Sequence, residues 1–271
     1  MADTPCTTPV DGHVHFYAIE RAAPTLNAAL ANFLALGRPD TQYVGTLILT
    51  QSSRENVFET MAARSSCGGW MLSRSRSEPH SLIAERGGRA IAVICGRQIR
   101  CDNGLEVAAL GTTDAFPDGQ PLGETLARVR DSAALAVIPW GFGKWSGKRG
   151  KAVEQVLQCH TPDSLAVGDN GGRLRLAGEP SLIRKARDIG YKVLPGSDPF
   201  PCGDDFRRVG AFGFLIGLVP STASPWRDIS RWLKAQKKSP DGYGQAVNPA
   251  RFLANQIGIR LHNRRRGNIT P

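Results

Sequence analysis

Val10-Asp11-Gly12-His13-Val14-His15-Phe16 reads as a first β-strand whose exit carries two histidines one residue apart. Alternation along a strand sends residues i and i+2 to the same side. His13 and His15 therefore point together into whatever the strand end opens onto. Neutral imidazole nitrogens are common ligands of zinc, iron and related ions. Such a pair also serves packing on a half-buried strand, so a further donor is needed before a metal reading carries weight. The other three of the five histidines do not supply it. His80 opens a strand, the wrong end for this pocket. His160 closes a helix, where a cation suits the dipole, and His262 belongs to the basic C-terminal tail.

Outward from that strand the pattern alternates. Ala22 to Leu36 has helical spacing, with Leu26, Leu30, Phe33 and Leu34 on one stripe, and Gly37 to Asp40 breaks it. Val44 to Thr50 is an apolar strand, and Ser53 is expected to cap a helix running to about Arg64. Short strands follow around 69–74, 81–85 and 90–94. A hairpin then joins 98–100 to 106–110 across the tight-turn signal Asp102-Asn103-Gly104. The second half reads helix 121–131, strand 134–139, helix 150–158, strand 164–168, helix 179–189 closed by Gly190, strand 191–194 and strand 211–218. Two terminal helices, 225–236 and 249–261, flank a polar linker from Lys237 to Gly244. Strand–helix repetition implies parallel strands with crossover helices, hence an α/β fold of barrel or doubly wound type.

A second informative run lies far downstream. Val193-Leu194-Pro195-Gly196-Ser197-Asp198-Pro199 is an apolar strand ending in Gly-Ser-Asp, with a carboxylate at its C-terminal edge. Together with the early His-x-His and the segment order between, it resembles the PHP (polymerase and histidinol phosphatase) family of amidohydrolase-like, metal-dependent hydrolases. The resemblance runs discontinuously from about Pro9 to about Gly213. It implies a distorted β/α barrel with a metal cluster at its mouth, fed by His13, His15 and Asp198. Two positions depart from the family pattern. Gln98, in Gly96-Arg97-Gln98, stands where a glutamate ligand is expected, and Ile138, before Pro139, stands where a histidine is expected. Those departures imply one divalent ion (Zn, Mn or Fe) rather than three.

Ligands in such folds sit beyond the C-terminal strand ends. The exit Gly168-Asp169-Asn170-Gly171-Gly172-Arg173 offers Asp169 as a fourth ligand or general base, or as a plain turn residue. The run from Trp140 to Gly150 is glycine-rich and basic and leads into a helix. It fits neither a P-loop nor a dinucleotide fingerprint, yet Lys144, with Arg173, is a candidate grip for an anion, with Trp140 and Trp145 walling off water. Asp11 is a candidate to orient a ligating imidazole, and Cys202 is a reserve ligand.

With 271 residues and 41% apolar content the chain suffices for one sizeable domain, and no apolar run is long enough to span a membrane. Residues 1–236 are expected to form the barrel, with a β-hairpin insertion, and 237–271 to pack on it as linker, C-terminal helix and basic tail. Six cysteines without CxxC spacing, and an N-terminus lacking a secretion signal, point to reduced thiols in a cytoplasmic protein. The net charge of +10 includes Arg264-Arg265-Arg266 near the end. That run reads as a solvated terminus or as a phosphate-attracting patch; nucleic acid is a conceivable partner, but no nucleic-acid motif accompanies it. The leading expectation is a hydrolase of an anionic small molecule, such as a phosphoester, using a metal-activated water. The alternative is a barrel that has lost catalysis and serves as an anion-binding or scaffolding protein.

Overall fold

Apolar alternation builds two sheets rather than one ring. The computed structural model describes residues 7–37, 42–201 and 203–267. The first sheet contains β1 (Thr8–Val14), β2 (Tyr43–Leu49), β3 (Ser66–Cys67), β4 (Trp70–Arg74), β5 (Ser81–Arg86), β6 (Arg89–Ile94), β12 (Phe212–Ile216) and β13 (Gly242–Gly244), in the order β13-β12-β1-β2-β6-β5-β4-β3. The second contains β7 (Gly96–Arg100), β8 (Glu106–Leu110), β9 (Leu135–Pro139), β10 (Ala166–Asn170) and β11 (Val193–Gly196), in the order β11-β10-β9-β8-β7. β1, β2 and β6 run parallel, as do β9, β10 and β11. These are the strands buried on both faces, which is why they read as continuous apolar runs.

Three apolar layers follow from strand parity. Val14, Phe16, Leu47 and Leu49 face outward onto α1 (Ala22–Leu34) and α2 (Val57–Ala62). Val107, Ala109, Ile138, Val167 and Val193 face outward onto α3 (Leu122–Asp131), α4 (Gly147–Cys159) and α5 (Ser181–Asp188). Val10, Ile48, Ala108, Val137, Ala166 and Leu194 point inward and share a core between the sheets. α6 (Pro225–Ala235) adds Trp226, Ile229 and Leu233 to that inner core. Glu78 fixes its start, accepting the Trp226 and Arg227 backbone N–H groups at 2.7 and 3.0 Å, as carboxylates do at helix N-termini.

Among the described residues, the strands expected to form a distorted barrel make these two sheets, and no continuous ladder closes them. β2 takes β6 as its full-length neighbour, and the antiparallel ribbon β3 to β6 extends the sheet away from β7. The sheets nevertheless meet at two seams. At one, the Asp198 N–H donates to the His13 carbonyl at 2.9 Å. At the other, Gln51 bridges to Arg97, and the Gln98 N–H donates to the Gln51 carbonyl at 2.8 Å. Two strand directions also differ from expectation: β12 runs antiparallel to β1, and the β7–β8 hairpin is the edge of the second sheet rather than an insertion. Within the linker expected between 237 and 244, Gly242–Gly244 pairs with β12.

Both seams depend on glycine. An added Cβ on Gly196 would lie 2.2 Å from the His13 backbone nitrogen, and one on Gly96 would lie 2.4 Å from the Leu49 carbonyl oxygen. Gly196→Ala is therefore expected to push β11 off β1, costing roughly 1–3 kcal/mol in overpacking. It should also carry Asp198 away from the histidines. Urea unfolding, with metal content measured on the same sample, checks both effects.

α7 (Pro249–Gly267) lies against the rest of the structure through Arg251, which bonds Asp204 and Asp205 at 3.0 Å each, and through an edge-to-face contact of Phe252 with Phe142 at 5.1 Å. Cys202 and the side chains of His262 and Arg264 to Arg266 fall outside the described residues. Among the described residues, Cys67, Cys95, Cys101 and Cys159 are free thiols, and no helix is long and apolar enough to cross a membrane.

Candidate metal centre

Val14 and Phe16 pack outward, so His13 and His15 turn inward together, where the register with β2 shifts in a bulge-like step between Asp11 and Val14. Bulges commonly re-aim side chains beside functional sites. The two Nε2 atoms face each other at 3.2 Å. Asp198 arrives from the far end of β11, with its Oδ1 3.7 Å from His13 Nε2 and 3.8 Å from His15 Nε2. One donor atom from each of the three lies within 4.8 Å of the others. A tetrahedral ion about 2.0–2.1 Å from each donor sets donor spacings of roughly 3.4 Å, so this set could hold a metal ion with small adjustments.

Neighbouring groups fix each member. Asn170 donates to Asp198 Oδ2 at 2.8 Å, which leaves Oδ1 turned to the imidazoles, and its own Oδ1 is buried without a hydrogen-bond partner. Asp198 itself adopts a left-handed backbone at φ 44°, as does Tyr17 at φ 61°. Conformations that side-chain-bearing residues avoid persist where surrounding contacts impose them. Here Tyr17 stacks on His15 at 5.2 Å and donates its hydroxyl to the Pro199 carbonyl at 2.8 Å. Glu55 faces His15 Nδ1 at 3.6 Å and accepts the Ser52 N–H at 2.8 Å. A carboxylate behind a ligating histidine fixes its ring orientation and raises its basicity.

Burial, with nearby Lys144 and His15, pushes the His13 pKa down to about 4 against the opposing pull of Asp198. His13 is thus neutral near pH 7, the form that ligates. For His15 burial acts in the same direction, but Glu55 and Asp198 outweigh it and raise the pKa. The same contact helps to lower the Glu55 pKa against the effect of its burial. Asp11 is fully buried, and burial lifts its pKa to about 6 although Ser197, Gly210 and His13 hydrogen bonds oppose the rise. It accepts the Ser197 and Gly210 N–H groups at 2.8 Å each and the His13 N–H at a long 3.4 Å. Asp11 therefore ties the loop carrying Asp198 to the strand carrying the histidines, rather than touching an imidazole.

His15 and Asp198 line a cleft of about 490 Å³ that also takes in Gln98, Glu106, Trp140 and Lys144, while His13 is buried against them. Lys144 pairs with Glu106 at 2.5 Å across it. Gln98, expected in a ligand position, reaches His13 with its side chain. Among the described residues, the structure does not bring Asp169, Arg173, Ile138 or Trp145 to the cluster. Asp169 lies one residue out of phase with Asn170, and both its oxygens are engaged by Arg173, at 2.7 and 3.1 Å. Arg173 gives a further N–H to the Gly178 carbonyl and lines a neighbouring apolar pocket. Ile138 faces the helices from the outward side of β9, so it is no substitute for an inward ligand. Trp145 donates to the Pro139 carbonyl and packs against the same outer core. Sequence reading missed Glu55 and Glu106, and it named Asn170 at its strand exit without giving it a role.

Fold and site together define a mixed α/β protein in which two histidines and one aspartate converge where two sheets meet. In overall fold the chain is similar to PsfC from Pseudomonas syringae PB-5123, with a TM-score of 0.58 and 15% identity over 93% of this chain and 97% of that one. A fainter likeness, with a TM-score of 0.47 and 10% identity, covers 83% of this chain and 55% of the lesion-specific endonuclease PfuEndoQ from Pyrococcus furiosus. No protein-family profile and no curated sequence matches the chain.

Proposed function

We propose that this chain is a PHP-like, metal-dependent hydrolase of an anionic small molecule, with a phosphoester as the leading substrate class. One observation carries the reading: His13, His15 and Asp198 bring three donor atoms together, and His15 and Asp198 line a cleft that also holds a lysine. A divalent ion bound there supplies Lewis acidity, lowering the pKa of water and polarising a phosphoryl oxygen. The chain's own residues do the rest. His13 presents an unprotonated Nε2, Asn170 keeps one Asp198 oxygen free, and Glu55 holds the His15 ring. Lys144 places positive charge at the cleft and meets the negative charge that grows on the phosphoryl oxygens. In the hydrolysis the water oxygen bonds to phosphorus, the ester P–O bond breaks, and the alcohol leaves with the proton that water gives up.

Asp169 is neither ligand nor base in this reading, and Arg173 does not grip the phosphate through its N–H groups, since each engages the other. A binding-only protein remains the second reading, favoured by one observation: Gln98, a neutral amide, stands in the cleft against His13. Turnover separates the two. Metal-stripped protein restored with Mn, Zn or Fe is expected to cleave a phosphomonoester and to stop on chelation. Lys144→Ala should lower kcat/KM by about 10- to 100-fold, the size of one lost charge-assisted hydrogen bond. Binding of one ion per chain with no turnover of any phosphoester, under any of the three metals, would decide for the binding-only reading.

A further inference from the structure

Next to the metal cleft lies a second cavity of about 380 Å³ whose walls are almost wholly apolar. Trp140 and Phe142 belong to both, forming a shared wall between them. Phe252 of α7 closes the far side, edge-on to Phe142 at 5.1 Å and 79°. Arg173 supplies another wall. Its guanidinium is held by both Asp169 oxygens and by the Gly178 carbonyl, so its edge is engaged while its planar face remains for stacking. Phe142, on the wall shared with the cleft, is 64% exposed and so open to a ligand from either side. A pocket of three aromatic rings and an immobilised guanidinium suits a flat π-system, which stacks on aromatic faces and on arginine alike.

We infer that this pocket receives a planar heteroaromatic ring carried by the alcohol portion of the phosphoester, with the phosphate lying in the adjoining cleft beside Lys144; a nucleoside monophosphate is the substrate class with that layout. The inference rests on the hydrolase reading and deepens it. It assigns Arg173 a positioning role through its face rather than a phosphate-gripping role through its N–H groups. It also gives α7 a place in the site, through Phe252 in the pocket and Gln256 at the cleft.

The test compares AMP with ribose 5-phosphate, which shares phosphate and sugar but lacks the ring, and adds adenosine, which lacks the phosphate. Metal-loaded protein is expected to show kcat/KM for AMP at least about tenfold above that for ribose 5-phosphate. In Phe252→Ala and Trp140→Ala that ratio should fall toward one. Phe252→Leu, which keeps apolar bulk but no ring, should give the same fall, so a collapse of packing cannot be its cause. Equilibrium dialysis of adenosine against metal-stripped protein reads the pocket independently of chemistry, and the same variants should weaken binding about tenfold. Adenosine binding lost in the variants, without turnover of any ester, would leave the pocket standing and remove the hydrolase. Equal turnover of AMP and ribose 5-phosphate, with no adenosine binding, would remove the pocket and leave the hydrolase.

Discussion

Protein carrying His13→Ala and His15→Ala together is expected to be purified with background metal, where the parent holds about one ion per chain. Both imidazoles are buried and their Nε2 atoms are 3.2 Å apart, so removing them leaves Asp198 as the sole donor of the cluster. One carboxylate does not retain a divalent ion against water. Hydrolysis should fall at least about a thousandfold, the scale of losing several kcal/mol of transition-state stabilisation. The pH dependence adds a second signature. Glu55 and Asp198 raise the His15 pKa above its ordinary 6.5 despite burial, so an incoming ion must displace a proton from His15. Metal affinity should therefore increase by about tenfold per pH unit while His15 is protonated, and level off above its raised pKa. The sign for stability is opposite in metal-free protein: the contribution of His15 is full below 6.5 and is lost as pH rises through the raised value. Glu55→Gln, which removes the charge behind His15, should shift the onset of metal binding to lower pH. Equal metal content in parent and double variant would end the metal-centre reading, whatever the activity assays show.

What local pattern could and could not reveal divides along physical lines. The His13/His15 pair was legible because two-residue periodicity is a property of a strand alone, and Asp198 because a strand end is marked by its own Gly-Ser-Asp turn. Asn170 was within reach by the same counting. Val167 faces outward, so Gly168 and Asn170 face inward and Asp169 does not. Charge was weighed above parity there, and parity decides. Glu106 was hidden by direction. β8 runs against its neighbours, so its N-terminal residue opens onto the cleft that parallel strands meet with their C-terminal ends. Glu55 was absorbed into a helix expected from Ser53, whereas α2 starts at Val57 and leaves Glu55 in the loop beside His15. The division into two sheets was hidden for a different reason. Whether β2 pairs with β6 or with β7 is a contest between distant partners, and no periodicity within β2 records its outcome.

Asp11→Ala is expected to be the most damaging single change outside the metal donors, and Asp11→Asn shows why. Two backbone N–H groups, from Ser197 and Gly210, point at this carboxylate from 2.8 Å in a fully buried setting. Alanine leaves both without acceptors, at about 1–3 kcal/mol each. The loop bearing Asp198 then loses its tie to β1, so metal affinity should fall although no donor atom has been touched. Against this stands the cost of burying the carboxylate, which lifts its pKa from 3.8 to about 6. A folded-state value above the unfolded one means that stability from this group is full below 3.8 and is lost as pH rises through about 6. Near pH 7 the fold bears the penalty in full, about 3 kcal/mol at ~1.4 kcal/mol per pH unit. Asn is neutral at every pH and keeps one acceptor oxygen, but turns an N–H₂ toward the other donor. Urea unfolding of parent and Asp11→Asn between pH 4 and 7 should thus give a difference that narrows as pH rises, because only the parent must ionise the buried group. A difference constant across that range would show that Asp11 titrates alike in folded and unfolded chains. The tie between the two strands would then be ordinary hydrogen bonding to a solvated carboxylate.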